Sequence, residues 1–216
     1  MSAQKRQLLF KILVIGDVGT GKSSIVRRYV HNIFNQYYKA TVGVDFAMKV
    51  VMWDATTLIR LQLWDISGQD RFGNMTRVYY KDAHGAVIVF DATRENTYEG
   101  ALKWKDDLDS KVTLADGNPV PAILLANKVD LENNVSEDVL KEYGSKNNFV
   151  ASFRTSAKEN LGLEDAFRTL TQHIIDTQEE GQYEIPVIQR DPNVRRIDAT
   201  DERWYTYSNS ERRRCC

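Results

Sequence analysis

The sequence predicts an α/β fold: a mostly parallel sheet with helices on both faces and one antiparallel edge strand. Three observations carry that prediction. Apolar runs that are continuous rather than alternating occur at 8–15, 85–90 and 121–126, with a weaker one at 149–153, as expected of strands covered on both faces. Segments of helical period lie between them. One pair of segments alternates instead, around a short polar turn, which marks an antiparallel hairpin.

The first strand is the run Leu8, Leu9, Phe10, Lys11, Ile12, Leu13, Val14 and Ile15. The helix after it places Ile25, Val26, Tyr29, Val30 and Ile33 at helical spacing. The hairpin strands span 46–53 and 58–64 across Asp54, Ala55, Thr56 and Thr57, with Ile59, Leu61 and Leu63 alternating against Arg60 and Gln62. The strand at 85–90 precedes a helical pattern over 98–112, and that at 121–126 precedes one over 135–145. After the last, weak strand, Leu163, Ala166, Phe167, Leu170 and Ile174 form the closing helical stripe. Six strands result, one of them an antiparallel edge. From Gln178 the periodicity stops, and Glu179, Glu180, Gly181, Pro186, Pro192 and mixed charges follow. A folded domain over 8–178 and a flexible tail over 179–216 are expected.

A chain of 216 residues is long enough for one sizeable core with an appendage. Its formal net charge of −1 gives no sign of a nucleic-acid binder. No apolar run approaches the ~20 residues of a spanning helix, and no signal-peptide core is present, so a cytosolic protein is expected. Both cysteines, Cys215 and Cys216, are the last two residues, which leaves the body without a disulfide framework or a Cys-based zinc site. His31, His84 and His173 are scattered and fall in no ligand spacing.

Ligands of such sheets bind outside the carboxyl ends of the strands, so chemistry is sought in the strand-end loops. After the first strand, Gly16, Gly21, Lys22 and Ser23 fit G-x-x-x-x-G-K-[ST] at every fixed position. Between a strand and a helix, this is the geometry of a phosphate-binding loop, and it predicts a P-loop NTPase of three layers. The backbone N–H groups of Gly16, Val18, Gly19, Thr20 and Gly21 would face the phosphates, helped by the positive helix end. Lys22 would sit on the outermost phosphates and the Ser23 hydroxyl would ligate Mg²⁺. After the hairpin come Asp65, Ser67, Gly68 and Gln69: a carboxylate to hold Mg²⁺, an N–H for the γ-phosphate, and an amide to orient an attacking water. Further on, Asn127, Lys128 and Asp130 match N-K-x-D. Guanine presents N1–H and an exocyclic amine as adjacent donors, which one carboxylate accepts together, whereas adenine offers no such pair; Asp130 therefore selects guanine. Ser156, Ala157 and Lys158 add a loop whose N–H could meet the guanine oxygen.

With these four motifs in order at strand ends, the chain resembles the Ras superfamily of small GTPases, and within it the Rab family of membrane-trafficking GTPases. Residues 41–46 are similar to the Rab form of the first switch and residues 78–80 to the second, and the resemblance covers roughly 8–178. Residues 74–81 and 102–105 look like the subgroup serving lysosome-related organelles. The resemblance implies a small G domain binding GTP or GDP with Mg²⁺, and hydrolysis of GTP to GDP with Gln69, Thr41 and Lys22 as catalytic residues. Thr41 would join Ser23 and Asp65 around the metal, while Ser24 and Tyr38 complete the nucleotide contacts. Phe34 would stand edge-on to the base, although a helix-end core aromatic is an equal reading of the residue itself. Phe46, Trp64 and Tyr79 match the triad through which Rabs meet effectors; composition alone reads them as core.

The tail ends in Arg212, Arg213, Arg214, Cys215 and Cys216, which resembles the double-geranylgeranyl site of Rabs. Two lipid chains anchor stably where one does not. The alternative is an exposed metal-binding or reactive pair. Trp204, Tyr205 and Tyr207 are unusual in so polar a segment, and nothing in the sequence assigns them. The implied partners are an exchange factor, a GTPase-activating protein, escort and GDP-dissociation-inhibitor proteins, a prenyltransferase and GTP-dependent effectors. A monomer on the cytosolic face of endomembranes (lysosome-related organelles, phagosomes or endosomes) is expected. Three departures stand out: Ser67 where alanine is usual, Asp70 where glutamate is usual, and the branched Val18 in the phosphate loop. They lead to an expectation of slow intrinsic hydrolysis. A P-loop small-molecule kinase and a non-hydrolysing scaffold are the rival readings.

Overall fold

The computed structural model describes residues 6–37, 40–69, 76–114, 117–179 and 187–188. Tyr38, Asp70, the tail aromatics Trp204, Tyr205 and Tyr207, and the terminal Cys215 and Cys216 lie outside the described residues. In chain order the elements are β1 (Arg6–Ile15), α1 (Lys22–His31), β2 (Val44–Met52), β3 (Thr57–Ile66), α2 (Thr76–Tyr80), β4 (Gly85–Asp91) and α3 (Asn96–Lys111). They continue as β5 (Val112–Thr113), β6 (Ala122–Asn127), α4 (Glu137–Lys146), β7 (Ala151–Thr155), α5 (Leu163–Glu179) and β8 (Val187–Ile188).

The main sheet has six strands in the order β2-β3-β1-β4-β6-β7. Only the edge pair β2–β3 is antiparallel, with Phe46 opposite Trp64 and Met52 opposite Leu58. The expected α/β class with one antiparallel edge is therefore the observed one. The hairpin closes because Asp54 Oδ1 accepts from Thr56 N (2.7 Å), Thr56 Oγ1 (2.9 Å) and Thr57 N (2.8 Å).

The continuous apolar runs find their reason in two cores, one on each face. On β4, Val87 and Val89 join the core built on α1 and α5, while Ala86, Ile88 and Phe90 join the core built on α3 and α4. All seven residues of β4 are buried. Each large side chain so covered contributes about 1.5–3 kcal/mol.

Two details differ from the sequence reading. The last strand begins at Ala151 rather than 149, because Phe149 N closes α4 on Gly144 O (3.1 Å) and its ring enters the α3/α4 core. Helix α3 begins at Asn96, where Thr97 Oγ1 bonds back to Arg94 O (2.7 Å) and fixes the first turn. Two elements have no counterpart in the reading: the five-residue α2, too short to show a period, and the two-residue ladder of β5 with β8.

Phe167 stacks on Tyr29 at 4.0 Å between ring centres and thereby joins α5 to α1. Phe167→Ala is expected to cost about 3–5 kcal/mol of stability, read as a lowered urea midpoint at unchanged slope. A loss under ~1 kcal/mol would show that the helix pair does not depend on this contact.

Candidate functional site

The loop over 16–21 leaves β1 and enters α1. It starts against β4, so closely that a methyl group on Gly16 would lie 2.1 Å from the Val89 carbonyl oxygen. Every carbonyl from residue 16 to residue 20 accepts a side-chain hydrogen bond. Lys22 Nζ donates to Gly16 O (2.8 Å) and Asp17 O (2.9 Å), and Thr20 Oγ1 also donates to Asp17 O (2.9 Å). Arg94 Nη2 donates to Val18 O (3.3 Å), Lys128 Nζ to Gly19 O (2.7 Å) and Asn127 Nδ2 to Thr20 O (2.9 Å). With its carbonyls occupied by side chains, the loop stands at the N-terminal end of α1, whose positive potential favours an anion. The Lys22 side chain is buried, and burial pulls its amine down to about 8, against the opposing pull of Asp65 and Asp17. A phosphate group would supply the countercharge that burial denies it.

This loop forms one wall of a cavity of about 440 Å³ at the carboxyl ends of the strands. The cavity brings together Val18, Gly19, Gly21, Lys22, Ser23 and Ser24 with Phe34 and Thr41, with Gly68 and Gln69, and with Asn127, Lys128, Asp130, Ala157 and Lys158. Gly16, Thr20, Asp65 and Ser156 do not line it. They lie behind its walls, where Thr20, Asp65 and Ser156 are buried. Phe34 lines the cavity and also packs against the α1/α5 core.

At the phosphate end, Ser23 Oγ meets Thr41 Oγ1 at 2.7 Å, and Thr41 Oγ1 donates to Asp65 Oδ2 at 3.4 Å. Asp65 is buried, which raises its pKa against the opposing effects of Ser23, Lys22 and Thr41. Its Oδ1 is buried with no hydrogen-bond partner. Two hydroxyls and a carboxylate with an unsatisfied oxygen form a hard-oxygen donor set of the kind Mg²⁺ takes. The donor set fits the ion. Across from it, a methyl group on Gly68 would lie 2.5 Å from Val18 N, so only glycine lets the 67–69 turn approach the phosphate loop this closely. Ser67 is buried beneath that turn, and its Oγ accepts from Gln69 N (3.3 Å). The hydroxyl of this unusual residue holds the backbone of Gln69, whose side chain is exposed.

At the other end, Asp130 Oδ1 accepts from Ser156 Oγ at 2.6 Å, and Lys158 Nζ lies 3.9 Å from Asp130 Oδ2. Asn127 binds both neighbouring loops, donating to Thr20 O and accepting from Ala157 N (3.2 Å). Lys128 is fixed by Asp91, whose Oδ2 it meets at 2.7 Å. Burial alone would raise the Asp91 pKa, but Lys128 and Thr93 outweigh it and hold the carboxylate low.

Sequence reasoning missed three residues of this frame. Arg28 donates through Nε to Ala157 O (2.8 Å) and through Nη2 to Lys158 O (2.9 Å), pinning the 156–158 loop to α1. Asp91 and Arg94 brace the phosphate loop from the end of β4. Their partners lie far along the chain, where no spacing could announce them. Of the proposed effector aromatics, Phe46 lies at the surface, while Trp64 and Tyr79 pack against the α3/α4 core. Phe46 is 54% exposed and meets Trp64 edge-to-face at 4.5 Å, and Lys11 Nζ sits 3.5 Å over the Trp64 ring. Tyr79 is half-buried on α2.

Comparison with known proteins agrees with this geometry. A family model, that of the Ras family, matches residues 11–176. Ras-related protein Rab-32 of Homo sapiens is 55% identical over 174 residues, covering 80% of this chain and 77% of the relative. Ras-related protein Rab-32A of Dictyostelium discoideum is 56% identical over 173 residues, covering 78% and 79%. Ras-related protein Rab-7L1 of Homo sapiens is 47% identical over 187 residues, covering 82% and 92%. A braced strand-end loop that meets the N-K-x-D segment across one cavity and these matches lead to one conclusion: the chain belongs to the Ras family, in its Rab branch, and is a small GTPase that binds GTP and GDP and hydrolyses GTP.

Proposed function

We propose that this chain is a membrane-recruited guanine-nucleotide switch in vesicle trafficking, with hydrolysis of GTP as its off-step. The observation that carries the reading is the convergence of all four strand-end motifs on one cavity, with Asp130 at one end and Lys22, Ser23 and Thr41 at the other. On this reading the folded unit is 8–178, and 179–216, which contributes β8 to the ladder with β5, leads to two lipidated cysteines, Cys215 and Cys216. Among the described residues no helix is long and apolar enough to cross a membrane; on this reading, attachment comes from two geranylgeranyl chains, helped by three arginines at about 1 kcal/mol each beside anionic lipid.

In the proposed mechanism Asp130 accepts the two donors of guanine, and Phe34 covers the edge of the base. Lys22 meets the outer phosphates with its positive charge, and Ser23, Thr41 and Asp65 would hold Mg²⁺, which would supply neutralisation of phosphate charge. Gln69 orients the attacking water toward the γ-phosphate, and Gly68 N–H donates to a γ-phosphate oxygen. Bound GTP orders the switches around 38–46 and 66–80, effectors read Phe46, Trp64 and Tyr79 on that surface, and hydrolysis releases it. The exchange factor, activator, escort and GDP-dissociation-inhibitor proteins, and prenyltransferase are those of a Rab cycle. The site of action is the cytosolic face of lysosome-related organelles, phagosomes or endosomes. Val18 beside Gly68 makes intrinsic turnover slow, and an activating protein supplies an arginine to the reacting phosphate, an effect on the order of 10³–10⁵ in rate.

A pull-down comparing GTP-locked with GDP-loaded full-length protein tests the switch: partners should differ between the two states, and indifference to nucleotide would overturn it. Val18→Gly is expected to raise single-turnover hydrolysis about 3–10-fold, a barrier change of about 0.6–1.4 kcal/mol; equal rates would remove Val18 from the account. Because Lys22 must be charged to hold phosphate and its empty-site pKa is near 8, binding takes up a proton above that pH. GDP affinity should therefore fall roughly tenfold from pH 7 to pH 9 in a fluorescence titration. A flat profile would mean that the amine stays charged throughout.

A further inference from the structure

Helix α3 carries a face that the nucleotide motifs do not account for. Gly100, Trp104, Asp107 and Lys111 recur at four, three and four residues, which places them on one side of the helix. The N-terminal half of that side grips the phosphate loop. The buried Trp104 indole donates from Nε1 to Asp17 Oδ1 at 3.1 Å. A methyl group on Gly100 would lie 1.9 Å from Asp17 Oδ2, so the missing side chain makes the seat in which the carboxylate rests. The C-terminal half grips α2. Tyr80 OH donates to Asp107 Oδ2 (2.9 Å), and Lys111 Nζ donates to Thr76 Oγ1 (2.6 Å) while pairing with Asp107 Oδ1 (2.6 Å).

The consequence reaches the phosphates through Asp17 itself. Its side chain is held by α3, and its backbone carbonyl is one of the two that hold Lys22 Nζ, at 2.9 Å. The eight residues from Trp104 to Lys111 span about 10 Å of rigid helix. We infer that the Asp17–Trp104–Gly100 contact makes α3 a strut between α2 and the phosphate loop, so that the seating of α2 on α3 sets the hold of Lys22 on bound nucleotide. Asp17 and Trp104 are positioning residues: they touch neither base nor phosphate, and they act through the carbonyl that fixes Lys22. The inference rests on reading 16–23 as the phosphate site.

The test is release of a fluorescent GDP analogue from the full chain, chased with excess GDP in Mg²⁺. Losing a hydrogen bond to a charged acceptor should speed release about five- to twentyfold in Asp17→Ala and in Trp104→Phe. The double variant should release no faster than the faster single one, since both remove the same bond. Asp17→Asn keeps an acceptor for the indole and should stay within about twofold of wild type. Cutting the other end of the strut, with Asp107→Ala and Lys111→Ala together, should speed release in the wild-type background but add nothing to Asp17→Ala. Should Trp104→Phe fail to fold, the series built on Asp17 in the loop and on Asp107 and Lys111 decides alone. Unchanged release in Asp17→Ala, or additive effects from the two ends, would overturn the strut while leaving the nucleotide site intact. A wild-type chain that does not bind the analogue at all would overturn the phosphate-site reading and the strut with it.

Discussion

The structure depends on one constraint: the tight loop between β1 and α1 must find side-chain partners for its carbonyls. A buried carbonyl left without one costs about 1–3 kcal/mol, and here successive carbonyls face that cost. The partners come from three places, Lys22 at the start of α1, Arg94 after β4, and Asn127 and Lys128 at the end of β6. The order β1-β4-β6 makes these strand ends immediate neighbours. A parallel arrangement with all three carboxyl ends on one side is what delivers the braces to a single loop. The two apolar cores, one per face, are in turn what hold those strands adjacent.

The bracing is also an electrostatic arrangement. Lys22, Arg94 and Lys128 bring three positive charges to the back and floor of the loop, and Asp91 at the end of β4 meets two of them, Arg94 at 3.0 Å and Lys128 at 2.7 Å. Those two are stationed by their counterion and serve as scaffold. Lys22 is different. Its amine is satisfied by backbone carbonyls rather than by a touching carboxylate, and burial disfavours its charge. Of the three cations, it is the one whose charge remains to be matched by a ligand.

How much of this was legible follows from how far apart the partners lie. The phosphate loop and N-K-x-D are local strings whose residue types are dictated by their own turns, so sequence alone delivered Lys22, Ser23, Asn127 and Asp130 to one cavity. The strands were legible because their burial on both faces removes polar residues from the run, as on β4. Arg28 and Arg94 were not, since each is an ordinary surface-type residue until the fold sets it 129 residues from Ala157 or 76 residues from Val18. The start of the last strand was misplaced because Phe149 is apolar for a different reason, the capping of α4. Ser67 was visible as a departure, but its bond to Gln69 N was not.

The two ends of the cavity differ in how far the protein satisfies itself, and that difference bears on the proposed switch. At the base end, Asn127, Ser156 and Arg28 close a network among neighbouring loops without any ligand. Binding there has little left to rearrange, so it supplies affinity and choice of base in either nucleotide state. At the phosphate end, Asp65 Oδ1 is unpaired, Thr41 reaches Asp65 only at 3.4 Å, and Gln69 is exposed. A ligand changes a conformational equilibrium only by its differential interaction with the two states. The groups left unsatisfied are those beside the position where GTP and GDP differ. On the proposed reading, a γ-phosphate and its metal therefore act on the least self-sufficient part of the site. The base end is common to both states and cannot distinguish them.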